Sequence, residues 1–238
     1  NAMGGVINIV TRPMFFEAGS KTQVNVGAGS YGTVQAEASN STAFGGRFNT
    51  TVAGQYNRSD NHRPNMGFEQ YGGMLKLDYD INNVWSARVS GNITHWNASN
   101  PGTESQPKLE NDQYITRGEV SAMLSNHYGR TSGALSVYSN FGRHKINDGY
   151  NAAGGKPQTD LFRSKDAVSG VSVYQSAQLF YGNRTTVGFD YQHIYGRAYY
   201  TNRETGAVVT TPQRLMQSSH SHADEVAGYH QYLMSATV

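Results

Sequence analysis

The sequence lacks cysteine altogether and is poor in proline and in charged residues. None of its 238 residues is Cys, which excludes a disulfide-bonded scaffold and a metal site built on thiolates. Only 6 residues are Pro, and 15% of the residues are charged. Small and polar residues and Tyr take the remaining share, with 27 Gly and 16 Tyr. This composition indicates many short strands joined by tight turns rather than helices.

Long apolar runs and a strong net charge are also absent. No stretch approaches the ~18 consecutive apolar residues of a membrane helix, whereas a membrane strand needs only alternation over about ten residues. The formal net charge of +2 argues against a nucleic-acid partner, which requires a basic patch or stripe. The 11% of aromatic residues argue against a disordered chain. These absences leave an all-β protein as the class to test.

From residue 21 onward the sequence alternates between apolar and polar residues. Successive side chains of a strand point to opposite faces, so alternation gives each strand one apolar and one polar face. The clearest case is residues 85–96, where Trp85, Val89 and Ile93 share one face and Arg88 and Asn92 share the other. The pattern predicts about ten strands, at residues 22–29, 33–43, 47–58, 70–79, 85–96, 114–125, 131–142, 168–180, 185–195 and 225–236.

The last predicted strand has the weakest pattern, which places Ala227, Tyr229 and Leu233 on the apolar face. The strand at residues 168–180 includes Leu179 in its apolar set. Both assignments rest on the alternation of residue types alone.

The predicted connections between the strands alternate in length. Short ones lie at residues 45–46, 81–83, 127–129 and 181–183, and longer ones lie between them at 59–69, 97–113, 146–166 and 196–224. Membrane β-barrels alternate in this way because one end has short periplasmic turns and the other has long extracellular loops. Aromatic residues near strand ends, such as Tyr71 and Trp85, fit interfacial girdles, although Tyr also favours strands in general. We therefore predict an antiparallel up-and-down transmembrane β-barrel.

The most specific motif stands at the beginning of the chain. Two glycines lead into a short apolar strand, and the motif consists of Gly4, Gly5, Val6, Ile7, Asn8, Ile9 and Thr11. This motif resembles the last strand of the plug domain in TonB-dependent outer-membrane receptors, after which the chain enters the barrel. Residues 29–33, Gly-Ser-Tyr-Gly-Thr, are similar to the first hairpin turn of these receptors. Residues 224–232 resemble a strand about midway round their barrel.

The resemblance implies a domain division and an orientation. Residues 1–12 are expected to be a remnant of the plug, residues 13–20 a linker, and residues 21–238 the N-terminal part of a barrel that has 22 strands in the family. The first barrel strand then runs outward, so the long connections are extracellular. Almost none of the plug and no TonB box stand in the sequence, so we expect a fragment. Such a fragment should close on itself or pair its edge strands with another copy.

The function that the resemblance implies is active uptake of a scarce nutrient across the outer membrane, such as an iron complex or haem. The expected partners are outer-membrane lipid, a small-molecule or metal-complex substrate, and the TonB system through a preceding N-terminal region. No cofactor, nucleic-acid partner or enzymatic activity is predicted, because no catalytic arrangement is discernible. The alternative is a self-contained small outer-membrane barrel that acts as a passive pore or a structural surface protein.

Three histidines in predicted extracellular loops are the candidate substrate ligands. His220 and His222 stand one residue apart in the longest loop, and His62 stands in another. Imidazole suits metal ions and haem iron, which is the reason for the prediction. The alternative is that these are ordinary polar loop residues, since two imidazoles do not complete a site.

Charged residues on the polar faces of the predicted strands form a second group. They would face the lumen of a barrel, where they could dock a plug or guide a substrate: Lys76, Asp78, Arg88, Arg117, Glu119 and Asp190. The alternative, which we favour, is that they pair with one another across neighbouring strands.

Overall fold

The computed structural model describes residues 18–216, residue 218 and residues 229–237, and in these residues ten β-strands and one short helix form the regular structure. The strands are β1 (Gly19–Gly29), β2 (Thr33–Ala43), β3 (Phe48–Ser59), β4 (Phe68–Asp80), β5 (Trp85–Ser99), β6 (Lys108–Tyr128), β7 (Thr131–Asn151), β8 (Asp160–Ala177), β9 (Thr185–Asn202) and β10 (Tyr229–Thr237). The helix α1 (Pro212–Met216) lies in the connection between β9 and β10.

All ten strands belong to one antiparallel sheet, in which each strand pairs with its neighbours in sequence from β1 to β10. The predicted all-β class and up-and-down topology are therefore confirmed. Among the described residues, β1 pairs only with β2 and β10 only with β9, so closure of the sheet into a barrel is not detected.

The strand register collects apolar side chains on one face of the sheet. Val52 of β3 lies opposite Leu75 of β4. Leu124 of β6 lies opposite Leu135 of β7, which in turn lies opposite Val173 of β8. Residues directly opposite one another in an antiparallel pair point to the same side. We call this side the apolar face.

The other side, the polar face, carries hydroxyl, amide and charged groups. Ser90 and Ser121 lie opposite each other on β5 and β6, with their Oγ atoms 2.9 Å apart. Ser41 and Thr51 form a similar hydroxyl pair between β2 and β3 at 3.2 Å. The alternation in the sequence is therefore realised as two chemically different faces.

Few apolar side chains of the described residues are buried. Those that are buried are Ala43, Ala134, Leu161 and Leu215. On the apolar face, by contrast, Val26 is 78% exposed, Ile93 50% and Val187 53%. A water-soluble domain needs two packed layers to bury an apolar sheet face. The described sheet is a single layer, so its apolar face is covered by nothing in the described part of the chain.

The two ends of the sheet differ. At one end, which we call the turn end, residues 44–47, 81–84, 129–130 and 178–184 connect the strands. At the other, the loop end, residues 30–32, 60–67, 100–107 and 152–159 connect the strands, and β9 is followed there by residues 203–216. The antiparallel order places all connections of one set at the same end.

The predicted strand boundaries at the loop end are wrong, because much of the predicted loop sequence is strand. β6 already begins at Lys108, β7 continues to Asn151 and β8 begins at Asp160. Polar residues continue the ladder here, as where Asp112 lies opposite Asn147. The predicted difference in length is correspondingly weaker, since residues 178–184 at the turn end form a connection nearly as long as residues 152–159 at the loop end.

Three further predictions need correction. β1 begins at Gly19, so residues 19–20 of the predicted linker belong to a strand. β8 ends at Ala177, and Leu179 therefore lies in a connection rather than on the apolar face. In β10, Leu233 lies opposite Gln192 on the polar face, whereas Met234 lies on the apolar face, opposite Tyr191.

Candidate functional site

Several residues singled out in the sequence lie outside the described residues. They are the plug motif, Gly4, Gly5, Val6, Ile7, Asn8, Ile9 and Thr11, and two of the candidate substrate ligands, His220 and His222. Their predicted roles stay predictions.

His62, the third candidate ligand, is exposed in the connection between β3 and β4 at the loop end. Its ring meets the ring of Tyr31 edge to face, with centroids 6.5 Å apart. In the described part of the chain, no group of three or more His, Cys, Asp or Glu side chains is arranged to hold a metal ion. His62 thus supplies an exposed imidazole at the loop end.

Three of the polar-face charges form one cluster on β4 and β5. Asp78 lies directly opposite Arg88, and the Arg88 Nε atom donates a hydrogen bond to Asp78 Oδ1. The Nζ atom of Lys76 lies 3.4 Å from the other carboxylate oxygen of Asp78. The side chains of Lys76 and Asp78 are only 11% and 19% exposed. For these residues the contacts match the pairing interpretation, because one carboxylate compensates two cations.

Arg117 pairs across an entire intervening strand. Its guanidinium on β6 donates to both carboxylate oxygens of Asp166 on β8, at 3.0 and 3.2 Å. Gly142 of β7 lies between them in the register. A Cβ atom at Gly142 would lie 2.6 Å from Asp166 Oδ1 and 3.0 Å from Arg117 Cζ. The missing side chain of Gly142 therefore makes room for a two-pronged ion pair. Pairing between adjacent strands does not predict this ion pair, because it spans β7.

His144 joins this ion pair at the loop end. On β7 it lies beyond Phe141, where the apolar face gives way to Arg143 and Lys145. Its Nε2 atom lies 3.2 Å from Arg117 and its Nδ1 atom 2.9 Å from Ser164 Oγ. Partial burial and the nearby Arg117 charge lower the pKa of His144 below its ordinary value, against a smaller opposing effect of Asp166.

The three residues Ser164, His144 and Asp166 have the types of a hydrolytic triad but a different arrangement. In a triad, the carboxylate orients the imidazole, which then takes the serine proton. Here Asp166 is 4.0 Å from His144 and accepts two hydrogen bonds from Arg117 instead. The Asp166 carboxylate is therefore engaged by the guanidinium, and the cluster has the character of a structural polar network.

Glu119 and Asp190 are arranged differently from the other polar-face charges. Glu119 borders an open groove of about 420 Å³, whose lining includes Lys76, Arg88 and Tyr138. Asp190 lies opposite Ser172 in the register. In the described part of the chain neither carboxylate forms an ion pair.

Aromatic side chains line the turn end of the apolar face. Phe44 stacks on Phe48 at a centroid distance of 5.4 Å, and Phe48 meets Tyr79 edge to face at 6.4 Å. Trp85 meets Tyr128 edge to face and donates its Nε1 hydrogen to the Tyr128 hydroxyl at 2.9 Å. We call these five residues the turn-end aromatic row. Each has an apolar body and several have a polar tip, a combination that suits a boundary between water and an apolar phase.

Aromatic rings also mark the loop end of the same face. Tyr71 lies opposite His95, with ring centroids 5.1 Å apart. From Tyr71 to Tyr79, β4 covers roughly 27 Å at ~3.4 Å per residue. The apolar face between the two groups of rings is thus about as tall as the apolar band of a membrane barrel, which is ~25 Å.

No helix within the described residues is long and apolar enough to cross a membrane. Comparison of the chain with protein-family models, with curated proteins and with solved structures finds no match.

Proposed function

We propose that this chain forms part of the wall of an outer-membrane β-barrel, in a TonB-dependent receptor that takes up a scarce nutrient such as an iron complex or haem. The apolar face meets lipid, and the polar face lines the interior. The loop end faces the outside of the cell, where His62 and the loop that contains His220 and His222 would meet the substrate.

The observation that carries the membrane placement is the exposed apolar face. Val26, Ile93 and Val187 lie far apart on β1, β5 and β9 and are each at least half exposed. Soluble monomers rarely expose a contiguous apolar patch of more than a few hundred Å². A bilayer supplies the missing cover without a second protein layer, because lipid chains are as apolar as the face itself.

The rings at the two ends of this face support the same placement. Trp and Tyr concentrate at both membrane–water interfaces of barrel proteins. The turn-end aromatic row holds Trp85 and Tyr128 together by a hydrogen bond, and Tyr71 stands at the opposite end of the face. The height between these groups fits a membrane strand.

The transport activity rests on a different observation, the resemblance of residues 3–11 to the last plug strand of TonB-dependent receptors. That resemblance gives the barrel its orientation, with the turn end in the periplasm. It also gives the class of cargo, since these receptors take up scarce nutrients with energy supplied through TonB.

Uptake by cells tests this function directly. The full natural protein that contains this chain would be produced in a Gram-negative host without haem or ferric-siderophore receptors. We expect uptake of one iron-labelled probe, either haem or a ferric siderophore, and its loss when a protonophore removes the energy source. Uptake of neither probe would contradict the proposed cargo.

The second candidate is a passive pore, favoured by the consecutive pairing of all ten strands, which is compatible with closure into a small barrel. A pore would admit solutes whether or not a protonophore is present, and it would give steady conductance steps in a planar bilayer. Energy-dependent uptake without such steps supports the receptor instead.

A further inference from the structure

Five basic side chains occupy neighbouring positions at the loop end of the apolar face. Arg143 of β7 lies opposite Lys165 of β8, which lies opposite Arg197 of β9. One step closer to the loops, Lys145 lies opposite Arg163. We call these five residues the basic cluster.

The basic cluster has no acidic partner in the described part of the chain. The Nζ atom of Lys145 lies 5.0 Å from the ring centroid of Tyr114, and the Cζ atom of Arg197 lies 4.8 Å from that of Tyr199. The Nε atom of Arg197 is buried and has no hydrogen-bond partner among the described residues. Like charges directly opposite on neighbouring strands destabilise a sheet. The cluster therefore lowers the stability of the fold unless an anion compensates it.

On the polar face, two arginines have acidic partners. There Arg88 pairs with Asp78, and Arg117 pairs with Asp166 through two hydrogen bonds. The basic cluster thus differs in bringing several cations to directly opposite positions on β7, β8 and β9 with no carboxylate among them. It does not follow from a general excess of basic residues in the protein, whose net charge is only +2.

The cluster continues the apolar face without a break. Phe141, Ala167 and Tyr195 are the next residues of the same strands and the same face toward the turn end. Between the cluster and the rings of Tyr114 and Tyr199 runs an open groove of about 370 Å³. A molecule with a negative head group and a long apolar tail could contact the basic cluster with its head group and the apolar face with its tail.

We propose that the basic cluster binds the phosphate groups of anionic membrane lipids whose acyl chains lie along the apolar face. This inference rests on the proposed membrane placement of that face. A transported solute does not fit the position, because the five residues lie on the apolar face, opposite the polar face that is proposed to line the interior. Guanidinium groups bind phosphate through two parallel hydrogen bonds, and Lys adds a point charge.

Lipid retention tests the proposal. The protein would be purified in a non-ionic detergent and mixed with phosphatidylglycerol or phosphatidylcholine of identical acyl chains, and the bound lipid would be counted by native mass spectrometry. We expect preferential retention of phosphatidylglycerol. The double variant Arg143→Gln/Lys165→Gln removes two exposed cations and should weaken phosphatidylglycerol binding roughly 30-fold.

The matched control is Lys21→Gln/Arg130→Gln, which removes two other exposed cations, on the polar face and at the turn end. This control should retain phosphatidylglycerol like the wild type. Should the cluster variant not fold, raising the ionic strength on the wild-type protein must still weaken phosphatidylglycerol binding and leave phosphatidylcholine binding unchanged.

Equal retention of the two lipids by the wild type would overturn the proposal, and so would an equal loss in the control variant. Displacement of the lipid by inorganic phosphate at the same concentration would point to a soluble phosphate ligand and also contradict it. Vesicle flotation distinguishes failure of the lipid-binding proposal from failure of the proposed membrane placement. A protein that floats with vesicles but shows no lipid preference refutes only the basic cluster, whereas a protein that stays in the aqueous phase refutes the membrane placement and this proposal with it.

Discussion

At the scale of single residues, a glycine on one strand leaves room for a large side chain of the neighbouring strand to lie over it. Phe141 on β7 covers Gly118 on β6, since a Cβ atom at Gly118 would meet the Phe141 ring and the backbone oxygen of Asn92, the latter at 3.0 Å. Gly54 lies on the same face, yet a Cβ atom there would meet nothing closer than 3.8 Å. The two positions therefore make a matched pair of tests.

We expect Gly118→Ala to destabilise the protein by about 1–3 kcal/mol, because the ring of Phe141 and the Asn92 backbone cannot both move away. Gly54→Ala should leave stability unchanged or raise it by about 0.5–1 kcal/mol, since Gly in a strand interior costs about that much. Urea unfolding of the two variants in detergent micelles measures both changes. Equal effects would show that Phe141 does not lie over Gly118.

The Asp78 carboxylate contacts two cations, Lys76 and Arg88. Asp78→Asn would remove the carboxylate that compensates the charges of Arg88 and of Lys76, which is 11% exposed. We expect a loss of about 2 kcal/mol, below the ~3–5 kcal/mol of a fully buried pair because the Arg88 side chain is 40% exposed. The control Asp60→Asn breaks the exposed pair with Arg58 and should cost about 0–1 kcal/mol. Urea unfolding in detergent micelles measures both losses of stability. An equal loss in the two variants would contradict the expectation that the Asp78 pair stabilises more than the exposed Asp60 pair.

At the scale of strands, the alternation of residue types predicts the turn end well except at the end of β8, and it predicts the loop end poorly. The starts of the predicted strands at Trp85, Thr131 and Thr185 are confirmed. Beyond the apolar face both sides of a strand are polar, as at residues 110–113 of β6, so there is no alternation to mark where the strand begins. Those boundaries are set by backbone pairing between neighbouring hairpins, which the sequence of one strand does not encode.

In the candidate site, too, some contacts follow from the alternation of residue types and others do not. Lys76 and Asp78 stand two positions apart on β4, so alternation puts them on one face. Arg88 shares that face because it lies opposite Asp78. The link from Arg117 to Asp166 could not be predicted, since it depends on Gly142 having no side chain. In β10 the run Tyr232, Leu233, Met234 has apolar residues in succession, so either face assignment fits the sequence and only the register decides.

β10 therefore gives a test at this scale. The chain contains no Cys, so single cysteines can be introduced. In vesicles, Met234→Cys should be protected by lipid from a charged maleimide, because position 234 lies on the apolar face. Leu233→Cys should react, because position 233 lies on the polar face. The opposite order would mean that β10 pairs with β9 in a register shifted by one residue.

At the scale of the whole molecule, the described sheet has two free edges, β1 and β10. Unpaired strand edges are not tolerated in lipid, where no water satisfies the backbone. In detergent we expect either a single copy with β1 paired to β10 or an assembly that pairs edges between copies. Mass measurement combined with hydrogen exchange tests this, because both outcomes protect the amides of β1 and β10. A monomer with rapidly exchanging amides on both strands would contradict the expectation.

Contact between the apolar face and lipid can be measured by fluorescence quenching from within the bilayer. Single cysteines would be placed at neighbouring positions of opposite faces, namely Asn25 and Val26, Asn92 and Ile93, and Ser136 and Val137. Each would carry a fluorophore in vesicles that contain a lipid with a mid-chain nitroxide. We predict strong quenching at Val26, Ile93 and Val137 and little at their polar-face neighbours. Equal, weak quenching on both faces would contradict lipid contact, because the apolar face would then be covered by protein rather than by the membrane.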